Sequence, residues 1–325
     1  MKYSNNISTN IVRDDSKHID YVVTPNTKEI FDRIFVNNFG ANKSFSLIGN
    51  YGTGKSTFLW ALEKNLNKDK IFFNNLDSDQ EKVQGYDFIK VIGQNSSLLD
   101  ALSKELKVKG DFDNSKLIDA LEKRRLRASN KSKGLVLIVD EFGKFLEHAS
   151  NQQSTDELFL IQQISEWANN DSNETYFIIT LHQNFASYGK NLSNQDKLEW
   201  EKIKGRFVDL TFNEPVEQLI YFASKKLKEF LIPNSLQASF SELISIIQSS
   251  KLVSNNKIIN EGLSNSLYPL DWLSSNVLVN SLQRYGQNER SLFSFLNDDT
   301  DFSIKKLKND FYSVSNVYDY LVNSL

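Results

Sequence analysis

The stretch Phe45-Ser46-Leu47-Ile48-Gly49-Asn50-Tyr51-Gly52-Thr53-Gly54-Lys55-Ser56-Thr57-Phe58-Leu59 decides the fold. It opens on a short apolar run that reads as a buried strand. It closes on the start of a helix carrying Phe58, Leu59, Ala61, Leu62 and Leu66. Between the two, Gly49 to Ser56 match G-x-x-x-x-G-K-[ST], in the strand-to-helix setting that the pattern requires. The glycines let the backbone curl until successive N–H groups point inward at phosphate oxygens, and the first helical turn adds its partial positive charge. Gly49, Asn50, Tyr51, Gly52, Thr53, Gly54, Lys55, Ser56 and Thr57 are therefore the expected phosphate-binding residues. Lys55 is expected to reach the β- and γ-phosphates, and the Ser56 hydroxyl to ligate Mg²⁺. The competing reading is a chance match in a glycine turn, against which the flanking strand and helix speak.

Working outward, Leu135-Val136-Leu137-Ile138-Val139 is the strongest strand in the chain and ends on Asp140-Glu141. A continuous apolar run bounded by turn residues suits a parallel strand covered on both faces. Asp140 then falls at the carboxyl edge of the sheet, beside the phosphate loop, where it can hold Mg²⁺ directly or through water. Glu141 can polarise the attacking water as general base. The plain alternative is that the acidic pair only caps the helix starting near Gly143.

A further strand, Tyr176 to Leu181, exits into His182-Gln183-Asn184. If the two strands are neighbours, one of Thr180, His182 and Gln183 can orient the lytic water or report loss of the γ-phosphate, and spacing does not choose among them. Arg206 stands just before a last strand, Phe207 to Phe212, placed to reach a neighbouring subunit's nucleotide as an arginine finger. Arg290 opens an apolar helix near the end of the chain and could reach the γ-phosphate in cis. Solvated arginines are the plain alternative at both positions.

The remaining readings fill in the organisation. Ile30, Phe31, Ile34, Phe35 and Phe39 recur at helical spacing before Gly40, Ile71 to Asn75 reads as a second strand, and residues 83 to 129 read as helical. After Pro215 only helices separated by polar turns are expected. The chain thus divides into a lead with an amphipathic helix (1–43), an α/β domain (44–213) and an α-helical domain (214–325).

Composition narrows the chemistry. In 325 residues, 38 Lys and Arg stand against 41 Asp and Glu, a net charge of -3, which gives no global argument for nucleic acid. Cysteine is absent and there are 3 histidines, excluding disulfides, thiolate metal sites, Fe–S clusters and cysteine catalysis, and disfavouring a histidine zinc site. No segment approaches the ~18 apolar residues of a membrane span. Met1 to Asn6 lacks the apolar core of a secretion signal, so the expected location is cytoplasmic.

The order of phosphate loop, apolar strand ending in Asp140-Glu141, polar strand exit, Arg206 and helical block with Arg290 resembles an AAA+ ATPase over roughly residues 20 to 300. The resemblance implies a P-loop NTPase parallel sheet sandwiched by helices, followed by an α-helical lid. It implies ATP and Mg²⁺ as ligands, hydrolysis to ADP and phosphate, and a homo-oligomeric ring completed by Arg206 in trans. Asp140-Glu141-Phe142-Gly143-Lys144-Phe145-Leu146-Glu147, Leu181-His182-Gln183 and Gln287 to Leu296 are similar to the large ATPases of BREX-type and related bacterial phage-defence systems. In those proteins a much longer region follows the ATPase module, so the chain is expected to be one module of a larger machine with an effector protein as partner.

Other nucleotide readings are weaker. A GTPase needs an Asn-Lys-x-Asp base reader, which Asn67-Lys68-Asp69 does not supply, and a small-molecule kinase needs no activating glutamate or trans arginine. A STAND-type signalling switch would carry a winged-helix domain and sensor repeats. A DNA-binding loader would use the one basic run, Lys123-Arg124-Arg125-Leu126-Arg127 with Lys131 and Lys133. A cationic helix end facing water is the plain reading of that run.

Overall fold

Hydrophobic alternation at period two builds the sheet. In β3 (Gly134–Asp140), Leu135, Leu137 and Val139 enter one core while Val136 and Ile138 enter the other. β4 (Thr175–Leu181) repeats the pattern with Phe177 and Ile179 against Tyr176 and Ile178. Both strands are buried along their whole length, as a parallel sheet covered by helices on both faces demands. The computed structural model describes residues 21, 23–36, 42–50, 53–73, 83–108, 110, 113–152, 155–170, 174–188, 194–213, 216–250, 264–285, 292–307 and 309–324. Among these, β1 (Ser44–Ile48), β2 (Tyr86–Ile92), β3, β4 and β5 (Val208–Thr211) form one parallel sheet in the order β2-β3-β4-β1-β5.

The order matters for chemistry. β4 lies between β1 and β3, with Ile48 opposite Leu181 and Val139 opposite Ile179. The exits of β1, β4 and β3 therefore open side by side at the carboxyl edge. One face is covered by α1 (Pro25–Phe31), a five-residue π-helical continuation (Asp32–Val36) and α2 (Lys55–Leu66). Aromatic rings dominate that core: Phe31 stacks on Phe73 at 4.6 Å and Phe58 meets Phe212 edge-on at 5.4 Å. The other face is covered by α3 (Leu98–Glu105), α4 (Asn114–Ser129), α5 (Gly143–Gln152), α6 (Thr155–Ala168) and α8 (Asn194–Lys204), with the short α7 (Phe185–Tyr188) beside α5 and α8.

Two sequence expectations fail here. The first part of the stretch from residue 83 is not helical: Tyr86 to Ile92 form the edge strand β2. Its charges hid the alternation, because both faces are covered and each charge finds a partner. Lys90 Nζ bonds both Glu63 carboxylate oxygens on α2, at 3.0 and 2.8 Å, and Asp87 pairs with Arg124 on α4 at 2.9 Å on the opposite face. Ile71 to Phe73 are not a strand either. A side chain takes their backbone donors, the buried Asn65 Oδ1 accepting from Phe72 N at 2.7 Å and Phe73 N at 2.8 Å. Asn74 and Asn75, and the expected helix end at Phe39-Gly40, lie outside the described residues.

The chain divides into two compact units. Among the described residues, one carries the sheet and its covering helices as far as Asn213, and the other the helices from Val216 onward. In the second, α9 (Val216–Leu227), α10 (Gln237–Ser249), α11 (Trp272–Tyr285), α12 (Leu292–Asn297) and α13 (Val314–Ser324) pack around Ile220, Phe240, Leu278, Phe295 and Tyr320. Asp271 caps α11 reciprocally with Ser274: Ser274 N donates to Asp271 Oδ1 at 2.6 Å and Asp271 N to Ser274 Oγ at 3.0 Å. Among the described residues, the one β contact of this unit is the bridge between Leu270 and Tyr312. No described helix is long and apolar enough to cross a membrane.

Candidate nucleotide site

The loop after β1 is shaped by two glycines for different reasons. At Gly49 the constraint is space, since a Cβ there would lie 2.1 Å from the Phe212 carbonyl oxygen, where the chain leaving β5 runs alongside. Gly49 N also donates to Leu181 O at 3.0 Å, tying the loop entrance to β4. At Gly54 the constraint is conformation: it caps α2 at φ +93° with open space around it. That left-handed turn starts the helix at Lys55 and leaves the first-turn N–H groups of α2 facing the loop.

Lys55 Nζ donates to the carbonyls of Gly49 and, at 2.8 Å, Asn50. Burial pulls its ammonium down from 10.5 to about 8, against the opposing pull of Asp140 and Glu141. Ser56 Oγ donates to Asp140 Oδ2 at 2.7 Å, so the loop and the end of β3 meet directly although β4 separates their strands. Thr57 follows on α2, partly buried. Tyr51 and Gly52 lie outside the described residues.

Asp140 is 1% exposed and both its carboxylate oxygens are engaged. Oδ2 faces Ser56, while Oδ1 accepts from Thr180 Oγ1 at 2.6 Å and from Glu141 N at 3.1 Å. Among the described residues no group of three or more His, Asp or Glu could hold a metal unaided. One carboxylate with one hydroxyl is instead the sparse, hard oxygen set that suits Mg²⁺ shared with substrate phosphates. The donors present fit that ion.

Glu141 takes a left-handed backbone, φ +54°, which costs a non-glycine residue about 1–2 kcal/mol. Three contacts hold it there. Glu141 N donates to Thr180 Oγ1 at 2.8 Å, Phe142 N donates to Thr180 O at 3.0 Å, and Gly93 N donates to Asp140 O at 2.7 Å. A Cβ on Gly93 would sit 2.0 Å from Glu141 O. The Glu141 side chain turns to Lys144 on the first turn of α5, and Glu141 Oε2 forms an ion pair with Lys144 Nζ.

His182 leaves β4 with Tyr188 Oη 3.0 Å from its Nδ1 and the two rings edge-on. Burial lowers its pKa, Glu147 opposes, and Lys55 adds to the lowering. Gln183 lines a cleft of about 250 Å³ with Glu147, Ser150, Asn151, Ser187 and Tyr188. Of the three residues offered at this exit, Thr180 bonds the acidic pair, and His182 lies within the electrostatic reach of Glu141 and Lys55.

Arg206 lies elsewhere. It precedes β5 at the amino edge of the sheet and forms an ion pair with Glu166 on α6. Val208 is level with Phe45 on β1, so Arg206 starts about 20 Å along the strand direction from Gly49, beyond its own phosphate loop. Arg290 lies outside the described residues. In the basic run, Arg124 pairs with Asp87. Arg125 bonds Glu122 at 2.8 Å, and Glu122 also accepts from Trp167 Nε1 at 3.0 Å.

Gly93, Lys144 and Tyr188 were not foreseen. Gly93 had a readable signal, a glycine directly after the apolar Val91-Ile92. Lys144 and Tyr188 had none, since their meaning depends on strand neighbours far apart in sequence.

No protein-family model matches the chain, and no curated protein matches it in sequence. Among solved structures it is similar to the Aeropyrum pernix ORC2 protein in its ADPNP–ADP complexes. The TM-score is 0.46 with 14% identity, over 97% of this chain and 72% of that one. It is also similar to PCH-2 of C. elegans (TM-score 0.43, 15% identity, 91% of this chain and 64% of that). A third is Cdc6p from Pyrobaculum aerophilum (TM-score 0.36, 15% identity, 86% and 68%). The fold is α/β of the P-loop type, followed by a helical unit. That rests on the strand order and on the loop between β1 and α2, not on these distant likenesses.

Proposed function

We propose that this chain is an AAA+-like ATPase that hydrolyses ATP with Mg²⁺ and uses the turnover to drive conformational change in a larger assembly. The observation that carries the reading is the convergence of Lys55, Ser56, Asp140 and Glu141 at one sheet edge, with Ser56 Oγ 2.7 Å from Asp140 Oδ2. The loop N–H groups and Lys55 receive the phosphates. Ser56 and Asp140 would hold Mg²⁺, whose charge would offset that developing on the phosphate oxygens. Glu141 takes the proton from the attacking water as its oxygen bonds to the γ-phosphorus, and the bond to the β–γ bridging oxygen breaks to release ADP.

Arg206 acts in trans in this reading, because its place at the amino edge of the sheet keeps it from its own loop. An exposed partner, Glu166, leaves it available to a second copy in a ring. The division at residue 213/214 separates the nucleotide-binding domain from a helical domain in the same proposal. A role in phage defence rests on the sequence phrases around Asp140, Leu181 and Gln287 alone. The DNA-loader reading is the weaker alternative, because two arginines of the basic run are already ion-paired within the chain.

Two variants test the reading. Lys55→Ala should abolish nucleotide binding, and Glu141→Gln should bind ATP normally while turnover falls about 10²–10⁴-fold. Equal nucleotide affinity in the Lys55 variant, by calorimetric titration, would refute the phosphate-loop assignment.

A further inference from the structure

We propose that Thr180 is a positioning residue: its buried hydroxyl locks the metal-binding carboxylate and the backbone of the general base into one geometry, without touching the nucleotide. The inference rests on the ATPase reading for its kinetic consequences, though not for the lock itself.

Thr180 is 1% exposed. A threonine hydroxyl has one proton to give and can accept in return. Here the proton goes to Asp140 Oδ1 at 2.6 Å, and the oxygen accepts from Glu141 N at 2.8 Å. The sequence left Thr180 open as a γ-phosphate sensor, but its only proton is already committed to Asp140. A residue so engaged acts through others.

The consequences follow from the two bonds. Fixing Oδ1 turns the other carboxylate oxygen, Oδ2, toward Ser56 Oγ at 2.7 Å, the side where a metal ion would bind. Holding the Glu141 N–H sustains that residue's left-handed backbone, φ +54°, from which its side chain departs. Gly93 allows the same turn from the other side, having no Cβ to meet Glu141 O. One hydroxyl thus couples the ligand of the metal to the direction of the base, and sub-ångström errors in such groups are expensive in rate.

Thr180→Val removes the hydroxyl and keeps the shape, while Thr180→Ser keeps the hydroxyl and loses the methyl. The valine variant should lose about 10²-fold in kcat and need more Mg²⁺ for half-maximal turnover, with KM for ATP within about threefold. The serine variant should recover most of the rate. In nucleotide-free protein, the Glu141 amide should exchange hydrogen faster in the valine variant than in wild type or the serine variant. Should the valine variant not fold, Thr180→Ala carries the same three measurements.

An unchanged kcat and unchanged exchange in the valine variant would overturn the proposal. So would a serine variant as damaged as valine, because the retained hydroxyl would then fail to restore the geometry. A rise in KM alone would make Thr180 a substrate contact and overturn it as well. If wild type neither binds nor hydrolyses ATP, the ATPase reading fails, and the exchange measurement still decides whether the lock exists.

Discussion

The two edges of the sheet treat charge in opposite ways. At the carboxyl edge, Lys55 is half-buried and drawn down to about 8, Glu141 sits in a left-handed backbone, and Asp140 is enclosed by hydroxyls. At the amino edge, three arginines are settled in pairs. Arg206 meets Glu166, Arg124 meets Asp87, and Arg125 meets Glu122 with Trp167 closing the group. Strain and desolvation are concentrated where strand exits converge, the pattern of a functional site. Ion pairing at the other edge ties α4 to β2 and the chain entering β5 to α6.

Arg206 is the place where this contrast could break most severely. Its pair with Glu166 is part-exposed, so a second copy could recruit it at small cost. If it serves a neighbour's site, Arg206→Ala should lower the turnover of assembled protein about 10³-fold while ATP binding persists. Wild-type specific activity should then rise with protein concentration, and the variant's should not. Flat specific activity over the range in which the protein assembles, measured by light scattering alongside turnover, would return Arg206 to the structural edge.

The second test sharpens the carboxyl edge. Phosphates need Lys55 charged, and in the free protein its proton leaves near pH 8. Above that pH, nucleotide binding must take up a proton, so affinity should fall toward tenfold per pH unit, and below it should be nearly flat. The stability effect has the opposite sign. The unfolded chain, with lysine near 10.5, holds more protons than the folded one between about 8 and 10.5, so this group's penalty on folding shrinks as pH rises through that window. Titration calorimetry in two buffers of different ionisation heat measures the uptake directly, and equal uptake at pH 7 and pH 9 would remove Lys55 from the account.

How much of this was legible in the sequence depends on the range of the forces involved. The phosphate loop, β3 with Asp140-Glu141 and the polar exit of β4 announce themselves locally, as an apolar run broken by a specific polar pattern. β2 did not, because its Lys90 and Asp87 are satisfied by α2 and α4, and burial on both faces erased the alternation. Thr180 could be named as a candidate at the strand exit but not given a role. That role needed the adjacency of β3 and β4, which no local pattern encodes. Gly93 was missed with β2, since its stretch read as helical, and the reason for it, the approach of Glu141 O, lies in a residue far away in sequence.

The smallest effects belong to the basic run on α4, and they separate its structural from its electrostatic reading. The Arg125 hydrogen bonds hold the Glu122 carboxyl below its usual 4.5, burial opposing and Trp167 assisting. A carboxyl lowered on folding contributes stability above its unfolded pKa and loses it as pH falls through the folded one. Arg125→Ala should therefore cost under about 1 kcal/mol at neutral pH, since the pair is partly solvated, and the deficit should shrink as pH falls below 4.5. Arg124→Ala should cost less, its pair with Asp87 being more exposed. Neither change should alter ATP turnover, because both lie at the amino edge, away from the loop. Denaturant midpoints at pH 7 and pH 3.5 decide the matter. A deficit that does not shrink in acid would show that Arg125 contributes through the packing of its stem, leaving Glu122 as an incidental partner.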